Sequence, residues 1–215
     1  MSVGPLLLRS YGMQPNSTFS RTCAKSRAGR LISRWATMKP RAILSEVPPG
    51  SAINARLPGA YFHDCYVISV PDTTRTALGY FLTALANTPP WVNSLMALRN
   101  KIVRFIVLKD LGGLGELSPS KPASAYAPGD RVGIFTLISN SPNEVLLGDR
   151  DKHLGVVLSV YKHLPGQGGV QSVSVTTVVH IHNLLGRIYM LPVTPLHRLI
   201  APAVLARIIG GQNAA

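Results

Sequence analysis

The chain of 215 residues is long enough to form one sizeable core, and 46% of its residues are hydrophobic. This composition excludes an intrinsically disordered protein, although the formal net charge is +13. Such a charge is compatible with three classes of partner: nucleic acid, an anionic membrane surface, or a small acidic ligand.

The charged residues are unevenly distributed along the chain. All nine acidic residues lie between Glu46 and Asp151, whereas residues 1–45 contain eight Lys or Arg residues and no acid. Beyond residue 45 the basic residues are scattered singly among Leu, Val and Ile, without the basic stripe that marks a nucleic-acid-binding surface. This distribution argues against nucleic acid and leaves a membrane surface and a small ligand open.

Residues 1–45 differ from the rest of the chain in composition. They are rich in Ser, Arg and Thr, show no sustained periodicity, and contain Cys23. An Arg-rich, acid-poor transit peptide has such a composition, and so would a gene-model extension upstream of a true start at Met38, which is the interpretation that we favour. We therefore expect a disordered N-terminal extension, one domain at 46–210 and a disordered tail at 211–215. Two cysteines make no disulfide framework, so we expect a reducing, cytoplasmic location.

The first predicted elements are a strand and two helices. Aromatic and β-branched residues predict a strand over 66–70, with Cys65 before it as a buried, inert thiol. Helical spacing of apolar residues predicts a helix over about 73–86 and a second one over 88–109, which begins at a Thr-Pro-Pro sequence. We expect Trp91, near the start of the second helix, to lie in the core.

An antiparallel meander is predicted in the second half of the chain. Residues 110–128, rich in Gly, Pro and Ser, are interpreted as a flexible loop. Two-residue alternation and short polar connections then predict antiparallel strands at 129–138, 144–148, 153–161 and 171–182. The polar residues 149–152 are interpreted as a turn between two of these strands.

A long apolar helix that includes residues 188–209 is predicted to close the chain. Asn183 is expected to cap it, Gly186 to allow close packing on the sheet, and Pro195 to mark a kink and a new first turn. This segment has the length of a membrane span, but its prolines and its two central basic residues disfavour insertion. Its apolar spacing is typical of a helix that packs on a sheet.

The histidines are the residues most suggestive of chemistry. His180 and His182 share one face of the last strand, so both could approach one metal ion, with His153, His163 or His197 as a third ligand. That face is the more polar one, which in an antiparallel sheet usually contacts solvent, so we interpret both histidines as structural.

The sequence predicts no cofactor and no metal. Asp149, Asp151 and His153 resemble a carboxylate–histidine pair, but a turn in which Asp accepts local backbone hydrogen bonds is the preferred interpretation. No Gly-x-Ser-x-Gly elbow, phosphate-binding loop or paired Cys/His motif occurs.

Several blocks, taken in order, resemble a bacterial family, domain of unknown function 2867. They are Pro90-Trp91-Val92 with Leu98-Arg99-Asn100, Gly129 to Phe135, Leu147-Gly148-Asp149, Lys152-His153-Leu154, His182 to Tyr189, and Pro195-Leu196-His197-Arg198. The resemblance covers roughly residues 46–208. His182 belongs to the family pattern whereas His180 does not, and Gly155 stands where the family usually has an acidic residue, which weakens a catalytic carboxylate near His153.

The resemblance implies an α+β, helix-grip fold similar to START domains and polyketide cyclases. In that fold a curved antiparallel sheet grips a long C-terminal helix around an apolar cavity, with two helices after the first strand. The family also occurs behind Rossmann-type, dehydrogenase-like domains, which makes such a domain an expected partner.

The leading hypothesis is a soluble domain that binds a small hydrophobic, amphipathic or anionic ligand between the sheet and the last helix. The candidate polar contacts are Arg99, Arg131, His153, His182, Asn183 and His197. One alternative is a cyclase, dehydratase or hydrolase that uses His153 or His182 as a general base. Another is a peripheral membrane or protein-interaction module that uses the basic, apolar helices.

Overall fold

The computed structural model describes residues 41–71, 74–105, 121–166 and 170–212, and for residues 98–105 and 210–212 it describes the backbone alone. Most of the predicted N-terminal extension, much of the loop predicted at 110–128 and most of the predicted tail lie outside the described residues. The side chain of Arg99, one of the candidate ligand contacts, is outside them as well.

The described residues form one curved, open, antiparallel sheet of seven strands. In chain order the strands are β1 (Ile43–Leu44), β2 (Phe62–Val70), β3 (Arg131–Val132), β4 (Phe135–Asn140), β5 (Glu144–Arg150), β6 (Leu154–Lys162) and β7 (Gln171–Ile181). Their spatial order is β1-β2-β7-β6-β5-β4-β3. The first long strand therefore pairs with the last one, and the strands between them form the predicted meander.

Three α-helices accompany the sheet in the described part of the chain: α1 (Ala77–Ala86), α2 (Pro90–Phe105) and α3 (Leu184–Leu205). A 3-10 helix over Ala206–Gln212 continues α3 and packs on α1, while α3 itself contacts β2 and β7. This is the predicted α+β architecture, with two helices after the first long strand and a long C-terminal helix on the sheet. It is consistent with a helix-grip fold.

Several element boundaries differ from the predictions. β2 begins at Phe62 rather than at residue 66, and β5 continues through Arg150 into the segment predicted as a turn. The alternation predicted from residue 129 is interrupted at Gly133, whose φ of 60° makes the tight turn between β3 and β4. Upstream of the predicted domain boundary at 46, Ile43 and Leu44 pair with β2 and extend the sheet.

The last helix is continuous through Pro195. It starts at Leu184, and it passes Pro195 without the predicted new first turn. Asn183 is its N-cap, as predicted, because its side-chain oxygen accepts a hydrogen bond from the Gly186 amide at 3.1 Å.

The main core lies between the inner face of the sheet and the three helices. Leu78 of α1, Val92 of α2 and Val160 of β6 are fully buried there. The prediction that Trp91 belongs to the core is wrong: its side chain is 45% exposed, and the neighbouring Val92 is the buried residue at the start of α2.

The middle of the outer face of β7 is also buried, contrary to the prediction that this polar face contacts solvent, whereas the two histidines at its end are not buried. Ser174, Thr176 and Val178 are at most 1% exposed. A 3-10 helix at Ala52–Arg56 covers the face, and Ile53 packs against Val178 in a second, smaller apolar cluster. The middle of β7 is therefore buried on both faces, and only its inner face meets the α-helices.

Candidate functional site

A cavity of about 270 Å³ lies between the inner face of the sheet and the helices. Strands β2, β5, β6 and β7 contribute to its wall, together with α1, α2 and α3. Most of the wall is apolar, and representative lining residues are Phe62, Phe81, Leu158, Val175, Val193 and Ile200. The polar side chains in the wall are those of Asp149, Asp151, Thr177, Tyr189 and His197.

His197 is one of two polar side chains, with Tyr189, that α3 contributes to the cavity wall. Its Nε2 lies 3.1 Å from Oδ1 of Asp64 on β2, and its ring packs edge-on against Phe62 with a centroid distance of 5.6 Å. Asp64 pairs with Thr177 of β7 across the sheet, and Thr177 lines the cavity. The Asp64–His197 pair therefore lies next to the cavity wall. A carboxylate that accepts a hydrogen bond from one ring nitrogen fixes the orientation and the tautomer of the imidazole.

The same pair contains an unused hydrogen-bond acceptor. Asp64 is only 9% exposed, and its second carboxylate oxygen, Oδ2, has no hydrogen-bond partner among the described residues. A buried carboxylate oxygen without a donor costs free energy of about 1–3 kcal/mol or more. A donor group of a bound molecule, or a water molecule, would remove that cost.

The carboxylates at the end of β5 have different partners. Asp149 lies 3.7 Å from Arg131 Nη1, in an ion pair whose arginine side chain is 48% exposed and whose aspartate side chain is 10% exposed. Asp151 accepts hydrogen bonds from the backbone amides of His153 and Leu154, at 2.6 and 2.9 Å. This is the local turn chemistry predicted for Asp151, although both carboxylates also reach the cavity wall.

His153 and Asn183 meet at the start of α3 rather than in the cavity wall. The side-chain amide of Asn183 is 2.9 Å from His153 Nδ1 and 3.1 Å from the carbonyl oxygen of Lys152, while its Oδ1 caps the helix. The His182 amide donates to the carbonyl oxygen of His153 at 2.8 Å. These polar groups hold the start of α3 against the start of β6, which is a structural role.

Gly186 allows that close approach. A Cβ atom at this position would lie 2.5 Å from the carbonyl oxygen of His153 and 3.0 Å from Cγ2 of Ile181. Its predicted role in close packing of the helix on the sheet is confirmed. The start of the helix is therefore held against the sheet by a backbone contact that no larger residue permits without movement.

Two further histidines have protein partners of their own. His180 Nε2 is 2.8 Å from the carbonyl oxygen of Arg56, and His163 Nε2 is 2.6 Å from Ser174 Oγ. Burial lowers the pKa of His163 below its ordinary value. Among the described residues, no group of three or more His, Cys, Asp or Glu side chains is placed to hold a metal ion.

Cys65 is a buried free thiol on the outer face of β2. It is 2% exposed, and burial raises the pKa of the thiol, which outweighs the opposite effect of the nearby Thr176 and Ser174 hydroxyls. The thiolate needed for nucleophilic chemistry is thus disfavoured.

The six candidate contacts therefore separate into three groups. His197 lines the cavity, and Arg131 reaches its edge through Asp149. His153, His182 and Asn183 come together at the helix start and are absent from the cavity wall, and nothing is described of the Arg99 side chain.

Sequence reasoning missed Asp64 and Thr177 as polar groups of the site. Asp64 carried a usable signal, because it shares a strand face with Phe62, Tyr66 and Ile68. A carboxylate on a core-facing position requires a partner in the core.

The family model described as "Protein of unknown function (DUF2867)" matches residues 56–204. The chain belongs to this family. The matched residues include β2 to β7 and nearly all of α3, so all of the cavity wall except Leu205 and Ile208 lies within the match. No curated protein and no solved structure matches the chain.

Proposed function

We propose that this DUF2867 domain binds a small, largely hydrophobic ligand in the cavity between the sheet and α3. The observation that carries the proposal is the cavity itself, with about 270 Å³ of space and a mostly apolar wall. Ligand sites are typically concave, mostly apolar and furnished with a few polar groups that orient the ligand, at about 300–1,000 Å³. The volume of this cavity lies just below that range, which favours a small molecule.

The polar groups of the wall support an amphipathic ligand with a hydrogen-bond donor. Asp149 and Asp151 present carboxylates, and Asp64 behind His197 has an oxygen without a partner. An anionic headgroup beside Asp149 and Asp151 would meet like charges at low dielectric, which is unfavourable. A neutral or cationic donor group therefore suits this wall better than the anionic ligand that the net charge of the chain suggests.

The experiment combines identification of a bound molecule with a cavity-filling variant. The full 215-residue protein is analysed by native mass spectrometry and then titrated with the neutral fluorescent probe N-phenyl-1-naphthylamine. Val193→Trp places a large ring in the cavity wall, whereas Leu191→Trp makes the same change at a side chain of α3 that is 69% exposed.

We expect the Val193→Trp variant to bind the probe at least about tenfold more weakly, since an occupied cavity excludes the ligand. The Leu191→Trp variant should bind it as the parent does. A folded Val193→Trp protein with the affinity of the parent would refute the proposal, and so would a parent that neither copurifies with a ligand nor binds the probe.

An enzyme is the second candidate, and the Asp64–His197 pair is the observation that favours it. The expected bases, His153 and His182, do not belong to the cavity wall, whereas His197 does and is oriented by a carboxylate. In this candidate His197 takes a proton from a ligand in the cavity and Asp64 stabilises the imidazolium.

The test follows the copurified ligand, returned to ligand-free protein, by mass spectrometry. Conversion that is lost in His197→Gln and Asp64→Asn but kept in His182→Gln would support catalysis. Recovery of the unchanged ligand would reject it. A cytoplasmic location and a Rossmann-type, dehydrogenase-like partner belong to the same proposal and stay predictions.

A further inference from the structure

The side of α3 that faces away from the sheet is apolar and exposed. Leu184, Leu191 and Leu199 are 70%, 69% and 64% exposed, and Ile188 is 52% exposed. Together with Pro195 they recur every three or four residues, so they form one stripe about 22 Å long, which we call the α3 outer face. The opposite side of the helix lines the cavity.

The exposed apolar surface continues from the α3 outer face onto the edge of the sheet. Ile43 and Leu44 of β1 are 58% and 71% exposed, and they share a groove with Leu199 and Pro202. Monomeric proteins rarely expose contiguous apolar patches of this kind unless the patch binds something.

The charges around the α3 outer face are positive. Arg187 and Arg198 are exposed on one flank of the stripe, and Arg41 lines the groove at β1. No acidic residue occurs anywhere after Asp151. The surface thus combines apolar side chains with cations, and its complement is an apolar layer bordered by anions.

The prolines of α3 determine how deeply this surface can be buried. Three of them lie inside the helix: Pro192, Pro195 and Pro202. Because proline has no N–H, the carbonyl groups of Ile188 and Leu191 lack their usual helical donor four residues later. Such groups are costly in hydrocarbon but are satisfied by water at the headgroup level.

Two other occupants fit less well. In a dimer formed through this face, the arginines of both copies would approach each other without any carboxylate on α3 to pair with them. The 26 residues from Leu184 to Ile209 have a mean hydropathy of 1.3, and by length and composition alone they could cross a membrane. A spanning helix, however, would have to leave the sheet and open the cavity that its other side lines.

We propose that the α3 outer face docks onto an anionic membrane surface. The leucines and Ile188 enter the boundary between headgroups and acyl chains, and Arg187, Arg198 and Arg41 contact lipid phosphates or carboxylates. Helices of this type lie in the plane of the interface, bound by apolar burial together with attraction to anionic lipids. The low burial of the helix supports the proposal, since only 11% of its most apolar window is buried in the protein.

The test is cosedimentation of the full chain with vesicles of phosphatidylcholine, with and without about one third phosphatidylserine. Arg187→Gln with Arg198→Gln should lower the partition coefficient on the anionic vesicles about 30-fold, roughly fivefold per arginine. Ile188→Gln with Leu191→Gln should lower it at least about tenfold. All four side chains are exposed, so these variants should unfold at the urea concentration of the parent.

Two matched control variants remove two positive charges, or two exposed apolar side chains, at positions outside the α3 outer face. Arg56→Gln with Arg150→Gln changes two other exposed arginines, and Leu164→Gln with Val170→Gln changes two exposed apolar residues between β6 and β7. Both controls should bind anionic vesicles nearly as the parent does.

Four outcomes would overturn the proposal. In the first, the protein binds vesicles with and without phosphatidylserine equally well. In the second, both α3 variants bind anionic vesicles as the parent does. In the third, the protein forms a concentration-dependent dimer that the α3 variants dissociate, and in the fourth it is a monomer that binds neither kind of vesicle. The second would assign membrane binding to another basic part of the chain. The third would assign the face to a second copy, and the fourth to a protein partner.

Discussion

Gly186→Ala tests how tightly the start of α3 is pressed onto the sheet. The new Cβ would lie 2.5 Å from the carbonyl oxygen of His153, about half an ångström closer than real Cβ contacts allow. The obstacle is backbone, so the helix start itself must move. Overpacking of this kind costs about 1–3 kcal/mol, and alanine returns up to about 1 kcal/mol through its higher helix propensity. We expect a net loss of about 1–2 kcal/mol in the free energy of unfolding.

The chain offers a matched control at Gly79. Gly79 is the third residue of α1, as Gly186 is of α3, and each amide donates to the side chain of its N-cap residue, Thr76 or Asn183. A Cβ at Gly79 would meet only side-chain atoms, at 3.3 Å or more. Gly79→Ala should therefore be at least as stable as the parent, with a gain of up to about 1 kcal/mol from the same helix propensity.

The assay is urea unfolding of the two variants and the parent, compared at equal m-values. The expected loss for Gly186→Ala corresponds to a decrease in Tm of a few degrees, about 2–4 °C per kcal/mol for a domain of this size. If Gly186→Ala were as stable as the parent, or more stable, the close contact between α3 and the sheet would not constrain the helix start.

Three further predictions concern single side chains. Asn183→Ala removes the cap of α3 and should lower the free energy of unfolding by about 1 kcal/mol or more. Asn183→Asp keeps an oxygen that accepts from the Gly186 amide, so it should lower that free energy by less. Equal losses of stability for the two variants in urea unfolding would contradict the capping role. Burial lowers the pKa of His163 in the folded state, so the unfolded state binds more protons below the ordinary value of 6.5. Stability should therefore decrease as the pH falls below 6.5, and His163→Gln should weaken that pH dependence; an unchanged pH profile would exclude His163 as its source. In the Cys23→Ser variant, Cys65 should react only slowly with iodoacetamide at neutral pH until urea unfolds the protein. The reason is that burial raises the pKa of its thiol and blocks access of the reagent. Alkylation at the rate of a free thiol would show that β2 opens readily.

Local patterns were sufficient to predict the order of the α-helices and the longer strands. The two-residue alternation in β6 and β7 and the helical spacing in α1 reflect one strongly apolar face against the main core, and such spacing can be read from sequence alone. The cap at Asn183 was predictable for the same reason, since it depends on one side chain and the backbone next to it.

The buried outer face of β7 could not be predicted in the same way. Its Ser and Thr side chains predict solvent, but the segment that covers them is an irregular stretch with a short 3-10 helix and has no period. Beneath that segment, Glu144 accepts hydrogen bonds from Ser51, 93 positions earlier in the chain, and from Ser159. Burial of this face depends on long-range packing that no local pattern records.

The candidate site was predicted only in part, because residue type does not reveal which way a side chain points. His153 and His182 were attractive as histidines near the last helix, yet the His153 ring contacts the Asn183 cap, and His182 contributes its backbone amide there while its side chain is exposed. His197 and Asp64 are brought together by the packing of α3 on β2, across 133 positions of the sequence.

Both edges of the described sheet end in very short strands. β1 and β3 contain two residues each, whereas the central strand β7 contains eleven. A long edge strand offers a row of unpaired N–H and C=O groups on which another chain can add, and short edge strands remove most of that template. The short edge strands thereby protect this hydrophobic chain against edge-to-edge pairing of strands from different molecules. Its aggregation at high concentration should depend on exposed side chains of α3 and respond to substitutions there, not to substitutions along the strands.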